Sequence, residues 1–246
     1  MLFDDQYIPG LSLDCVIFGF HDNQLRVLLL EFKNFSEWGL PGGFVEKNEN
    51  VEQAAVRVLK SRTGLEKIFL TQFHFFGDVS RNTPNHSQRL IEQGTISKEL
   101  APWFEQRFNT IGYYALVEYS KVKPVKDDIT DSCEWRALDD LPKLILDHKI
   151  IINKALDNLR IHLNYHPIGQ NLLPSKFTMP ELQALYETVL DKKLDRRNFQ
   201  RKMLGYGILD RLDERRLGGA HKAPYLYCFN SEKYQQALKV GLNTGW

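Results

Sequence analysis

No stretch of the chain stays apolar for the roughly 18 residues that a membrane-crossing helix needs, so no helical span is expected. The opening, MLFDDQYIPG, has two acids and no basic segment ahead of an apolar core. It does not read as a secretory signal, and a cytoplasmic location is the expectation. Cysteine is scarce. Cys15, Cys133 and Cys228 are far apart and form no C-x-x-C pair, and their odd number argues against a disulfide framework. A reducing compartment fits best, with all three thiols acting as small buried hydrophobes. Internal repeats and low-complexity tracts are absent. Net charge is also nearly absent, at +1 from 32 Lys/Arg and 31 Asp/Glu.

What is present is ordinary globular material. The 246 residues are 43% hydrophobic, enough for the core of one large domain or two modest ones. The near-neutral total hides an asymmetry. Asp191 to Lys222 holds ten Lys/Arg against five Asp/Glu, a local +5 that leaves −4 for the rest. Such a stretch is either a solvated helix face or a nucleic-acid footprint.

Leu13–Phe20 and Leu25–Phe32 are apolar runs around the polar cluster His21-Asp22-Asn23-Gln24, which predicts a hairpin. Glu37 to Val45 is rich in glycine and proline and is expected to be irregular. Apolar residues at 51, 54, 55, 58 and 59 predict a helix over 51–62 with one buried face, ended by Gly64. Ile68–Val79, Gly112–Tyr119 and Trp135–Leu141 read as strands, and Ile145–Leu163 as a long helix. The excursion 80–110 holds two helix-compatible stretches, 87–93 and 98–107, and is too long for a simple loop. His166–Ser175 reads as a linker, which places an α/β domain at 1–165 and a second domain at 166–246. Beyond it, Thr178-Met179-Pro180-Glu181 is a capping box opening a helix. Asp195 caps a second helix, with Phe199, Met203 and Leu204 facing the core. Short strands follow at 208–211 and 225–229, around Gly218-Gly219.

Two constellations carry chemistry. The first is Gly42-Gly43-Phe44-Val45, Glu49, Arg57 and Gly64-Leu65. Its spacing resembles the Nudix box, in which an Arg-Glu-x-x-Glu-Glu turn stacks carboxylates on one helix face to hold Mg²⁺ against a pyrophosphate. Here the three carboxylate positions are Val58, Ser61 and Arg62. An apolar, a neutral and a cationic group cannot replace them, so no metal, no cofactor and no hydrolysis are expected. Gly43, Arg57 and Gly64 then serve to hold a loop–helix corner. A Mg²⁺-dependent hydrolase of ADP-ribose-like nucleotides that uses Glu46, Glu49 and Glu52 instead is the competing enzyme reading.

The second constellation is the basic helix that starts at Asp195. Lys193, Arg196, Arg197, Asn198, Gln200, Arg201 and Lys202 are side chains suited to phosphates and base edges. Arg215, Arg216, His221 and Lys222 flank the glycine pair as a basic wing. A helix, a turn, a basic helix and a basic glycine hairpin together point to a winged helix that binds double-stranded DNA. A module whose basic tail binds a protein partner is the other possibility.

Together the halves resemble the Nudix-related transcriptional regulators, the NrtR family. The resemblance rests on Phe177-Thr178, Glu181-Leu182-Gln183, Leu185-Tyr186-Glu187, Leu194–Phe199, Arg201-Lys202 and Gly207-Ile208-Leu209. Phe76-Gly77-Asp78 with Arg81, and Leu141-Pro142 with Asp147-His148, add to it. It implies a Nudix-like α/β/α sandwich with a mixed sheet, followed by a winged helix. The degraded box is most similar to that of the arabinose-responsive AraR branch. This implies a homodimeric repressor of sugar catabolism that L-arabinose releases from a palindromic operator. Trp38, Glu46, His74, Phe76, Asp78 and Arg81 are the candidate effector contacts. Arg62 and Arg81 keep a phosphate-bearing, ADP-ribose-like effector as the alternative.

Overall fold

The structure is a computed structural model and describes residues 3–34, 36–65, 70–81, 86–163, 165–216 and 223–242. The chain divides into two compact units, one of residues 1–19 and 26–155, the other of 20–25 and 156–246.

The first unit opens with a single helical turn, α1 (Phe3–Gln6), and continues through β1 (Tyr7–His21), β2 (Gln24–Phe32), β3 (Trp38–Gly39), β4 (Gly42–Glu46), α2 (Val51–Thr63) and β5 (Leu70–Phe76). Next come α3 (His86–Glu92), α4 (Ala101–Glu105), β6 (Asn109–Val117) and β7 (Thr130–Ala137). The helix α5 (His148–His162) runs across the division between units. The seven strands form one mixed sheet with the path β3-β2-β1-β6-β5; β4 pairs with β1, and β7 with β2. β1 and β6 are parallel, whereas β1–β4, β2–β3, β2–β7 and β5–β6 are antiparallel.

The expected hairpin forms, with a turn only two residues long. Asp22 and Asn23 both take positive φ (49° and 59°), the pair of left-handed conformations that a tight turn between twisted strands demands. The helix predicted over 51–62 ends one residue later. Asn50 and Gln53 complete a capping box at its start, and Gly64 adopts φ 70° at its end. Ala54, Ala55, Val58 and Leu59 on α2 bury against Leu13, Cys15 and Ile17 of β1 and Ile111, Tyr113 and Ala115 of β6. Each large aliphatic chain so removed from water contributes about 1.5–3 kcal/mol. Of the cysteines, only Cys15 is fully buried; Cys133 and Cys228 are half-buried.

The strand edges are set by pairing rather than by composition. β5 stops at Phe76, and Val79 opens a 3-10 turn. β6 starts three residues earlier than expected because Asn109 and Thr110 pair with Leu11 and Ser12. β7 lies five residues N-terminal of its expected start, where it follows β2 from Phe32 to Arg26.

The second unit contains β8 (Phe177–Thr178), α6 (Met179–Leu190), α7 (Arg196–Gly205), β9 (Leu209–Arg215), β10 (Tyr225–Phe229) and α8 (Ser231–Val240), with its strands in the order β8-β10-β9. Three features depart from expectation. The stretch read as a linker is packed: Ile168, Leu172 and Leu173 are buried, and Gly169 sits so close to Phe229 that a Cβ would meet its ring at 2.5 Å. Leu204, expected in the core, is 44% exposed, since Phe199 and Met203 already fill the inward face of α7. The unpredicted α8 is capped by Asn230, and its Tyr234 hydroxyl donates to the Pro167 carbonyl at 2.7 Å.

Candidate effector cavity and nucleic-acid interface

The loop–helix corner is built on short approaches. A Cβ on Gly42 would lie 2.7 Å from the Asp14 carboxylate and 2.8 Å from the Leu13 carbonyl, so only glycine lets β4 run this close to β1. Arg57 donates from Nη2 to the Phe44 carbonyl at 2.9 Å and from Nε to Glu49 at 3.0 Å. The Glu46 amide donates to the other Glu49 oxygen at 2.9 Å. These hydrogen bonds, led by that from Arg57, hold the Glu49 carboxyl below its ordinary range. Both oxygens of Glu49 are therefore committed to the corner.

The three positions that carry carboxylates in a metal-binding Nudix box have other uses here. Val58 is buried against Gly43. The Ser61 hydroxyl donates to the Val58 carbonyl at 2.7 Å. Arg62 is 8% exposed and ion-paired with Asp127. This set does not fit Mg²⁺, which takes hard oxygen donors. Among the described residues, no three His, Cys, Asp or Glu side chains are placed to share a metal ion.

Next to the corner lies a cavity of about 650 Å³. Its wall is mostly apolar, with Leu13, Phe32, Leu40, Phe44 and Phe108 among the lining residues. The 80–110 excursion supplies part of that wall through Leu90, Ile96, Leu100 and Phe104. Trp103 anchors it, meeting Phe44 edge-on at 5.5 Å between ring centroids. Glu37 ties it down as well, through Arg89 at 3.1 Å.

Asp14, Arg81 and His148 are buried polar groups of the wall, as are Arg62 and Ser87. Arg81 forms a two-pronged pair with Asp147 (2.7 and 3.1 Å), donates to the Phe76 carbonyl at 3.1 Å and stands 3.8 Å from Asp14. The Leu40 amide donates to His148 Nδ1 at 2.9 Å, so that nitrogen is unprotonated and the ring's proton sits on Nε2, 3.6 Å from Asp14. Sequence reasoning named Asp147-His148 only as part of a resemblance and passed over Asp14. No local motif marks a strand aspartate as a pocket residue; only the β1–β4 pairing shows it.

The six candidate effector contacts do not converge. Arg81 lines the cavity. It also lines a separate, open depression, with His74, Phe76 and Asp78. Asp78 is exposed there and caps the following turn by accepting from Ser80. Trp38 is buried with the Arg136 guanidinium stacked 4.3 Å from its ring. Glu46 closes β4 and stands 3.8 Å from Arg57. Neither Trp38 nor Glu46 lines the cavity.

In the second unit, the turn between α6 and α7 is tied by Glu187. Its carboxylate accepts from the Leu194 amide (2.9 Å), Gln183 (2.9 Å) and Lys193 (3.1 Å), and these bonds lower its pKa, the backbone bond most. Asp195 caps α7 by accepting from the Asn198 amide at 2.9 Å. The Phe199 ring meets Tyr186 at 5.5 Å and fixes the helix against α6. Arg196, Arg197, Asn198 and Arg201 are exposed, and Gln200 is half-exposed. Arg196, Arg197 and Gln200 make no side-chain hydrogen bond or ion pair among the described residues, so they present free donors outward. Arg201 donates to Asn198 at 3.0 Å, and Lys202 is half-buried. Arg215 stacks 4.0 Å from the Tyr225 ring, and Arg216 grips Glu181 at 3.1 Å, so both have structural duties at the base of the wing. His221, Lys222 and Gly218-Gly219 lie outside the described residues.

The two units match known families. The Nudix domain family matches residues 10–159, and the NrtR DNA-binding winged helix domain matches residues 169–229. The chain is 29% identical over 233 residues to the ADPR responsive transcriptional repressor NtrR of Acinetobacter baylyi, covering 92% of this chain and 84% of the relative. It is 28% identical over 112 residues to the RNA pyrophosphohydrolase of Brucella abortus, covering 46% of this chain and 61% of that enzyme. Among solved structures, Shewanella oneidensis NrtR complexed with a 27mer DNA superposes with a TM-score of 0.75 at 25% identity, covering 96% of this chain and 99% of that one. The chain belongs to the Nudix family, and it pairs that domain with a C-terminal winged-helix domain that matches the NrtR DNA-binding type.

Proposed function

We propose that the protein is an effector-responsive transcriptional repressor whose Nudix domain senses a nucleotide of the ADP-ribose class without hydrolysing it. The carrying observation is the resemblance, over 92% of the chain, to a repressor named as ADPR responsive. The cavity beside the loop–helix corner is the effector site, and its 650 Å³ is within the range of small-molecule pockets. The lack of hydrolysis follows from the residues at 58, 61 and 62 and from the commitment of Glu49 to Arg57. L-arabinose, the effector implied by the AraR resemblance, has no counterpart among the relatives named above. In operation, two subunits place α7 in successive major grooves, and the nucleotide favours a state in which they no longer fit. It can do so only to the extent that it binds that state more tightly.

The test is a mobility-shift titration of the full chain on its operator, with ADP-ribose and L-arabinose as competing effectors. Release by ADP-ribose alone is expected. Release by L-arabinose alone would overturn the nucleotide assignment. Incubation with ADP-ribose and Mg²⁺ should leave the nucleotide intact; turnover would establish a hydrolase.

A further inference from the structure

Two arginines face the cavity, and they differ in one respect. The Arg81 guanidinium is saturated by Asp147, Asp14 and the Phe76 carbonyl. Arg62 is equally buried but has one side-chain partner among the described residues, Asp127, reached through Nη2. Its Nε and Nη1 have no protein acceptor there, although the residue lines the cavity wall. Asp127 itself is well supplied: it accepts from the Thr130 hydroxyl at 2.8 Å and from the Ile129 amide at 3.3 Å, and its side chain is 42% exposed. These donors are accessible from the cavity rather than sealed in the protein, so an acceptor on a bound ligand can fill them.

In a metal-dependent Nudix site, a carboxylate at this position binds Mg²⁺, and the ion meets the diphosphate. We propose that in this chain Arg62 takes the place of the metal: its guanidinium binds the effector's diphosphate directly, and Asp127 holds the charge until the ligand displaces it. The inference rests on the nucleotide reading above and adds the group that recognises the ligand's charge. A planar guanidinium matches a phosphate with two parallel N–H bonds, so the site needs no cation from solution. The exposed Asp127 can turn to water and keep its bonds to Thr130 and Ile129.

The experiment is calorimetric titration of ADP-ribose and of adenosine into the full-length wild type and the variants Arg62→Gln and Asp127→Asn, each in EDTA and in Mg²⁺. The wild type should bind ADP-ribose equally in both buffers. Arg62→Gln should lose about tenfold to a hundredfold in affinity for ADP-ribose, the usual effect of a charge-assisted hydrogen bond. Its affinity for adenosine, which has no phosphate, should not change. Asp127→Asn removes the competitor without emptying the turn and should bind ADP-ribose more tightly. This second variant keeps the proposal open to refutation even if Arg62→Gln folds poorly. Mg²⁺-dependent binding in the wild type, an unaltered Arg62→Gln, or weaker binding by Asp127→Asn would each overturn the role of Arg62 while leaving the nucleotide reading intact. A wild type that binds no ADP-ribose would overturn that reading, and this inference with it.

Discussion

At the residue scale, chemistry alone ranks the candidate DNA contacts, and intramolecular bonding then reorders them. Lys, Arg, Asn and Gln are equally plausible on paper. In the fold, Arg216 is held by Glu181, Arg215 by Tyr225, and Lys202 is half-buried. Arg196, Arg197 and Gln200 remain outward and uncommitted. Arg197→Ala should therefore weaken operator binding by about 1–3 kcal/mol and leave the melting temperature unchanged. Fluorescence anisotropy at several salt concentrations checks this: a base contact relaxes sequence preference, whereas a phosphate contact lowers the salt slope by about one. Unaltered affinity across Arg196, Arg197 and Arg201 substitutions would remove α7 from the interface. The degraded Nudix box is a residue-scale reading too, because charge and ligand chemistry at 58, 61 and 62 follow from identity alone.

At the element scale, caps and pairings decide where helices and strands begin. The Thr178–Glu181 box was legible because its two side chains satisfy each other within four residues. Thr178→Ala should cost about 1 kcal/mol in chemical denaturation, with an added loss from Arg216, which binds the same Glu181. Helix α5 supplies a pH-dependent case. His162 is in its last turn, where the helix dipole favours the charged imidazole. Burial opposes that charge, as does His166 with its ring 5.7 Å away, and together they lower the His162 pKa. The unfolded chain then takes up a proton first as pH falls. The stability tied to His162 is complete above the ordinary histidine value and is lost as pH drops through the lower, folded value. NMR titration of the imidazole should show the depressed midpoint, and His166→Gln should raise it. A midpoint unaffected by His166→Gln would leave burial as the sole cause.

The strand ends show why element boundaries were less legible. β7 begins at Thr130 because β2 offers partners from Phe32 to Arg26, and nothing local to 130–134 announces it. The linker reading at 166–175 failed for the same reason. Pro167 and Gly169 look like punctuation, yet Gly169 is small because Phe229 presses on it and Pro167 is a carbonyl for Tyr234.

At the scale of the whole molecule, a ligand that binds only the folded Nudix domain must stabilise it. ADP-ribose at a hundred times its dissociation constant should add about 2.7 kcal/mol, visible as a rise in melting temperature that grows with ligand concentration, and L-arabinose should add nothing. Differential scanning calorimetry separates the two, and a shift with the sugar alone would reverse the effector assignment.

The sequence by itself determined the family-level architecture, the misfit of the box to a metal, and the basic capped helix. These rest on spacing and on side-chain identity, which are local and need no neighbours. Only the tertiary structure decided which polar groups share a cavity and which are already occupied. Asp14, Arg62, Arg81 and His148 come from four separate segments and meet through sheet pairing and helix packing. Whether an arginine there awaits a ligand depends on what surrounds it: Arg81 is saturated and Arg62 is not. That difference is a property of long-range contacts, and no pattern along the chain encodes it.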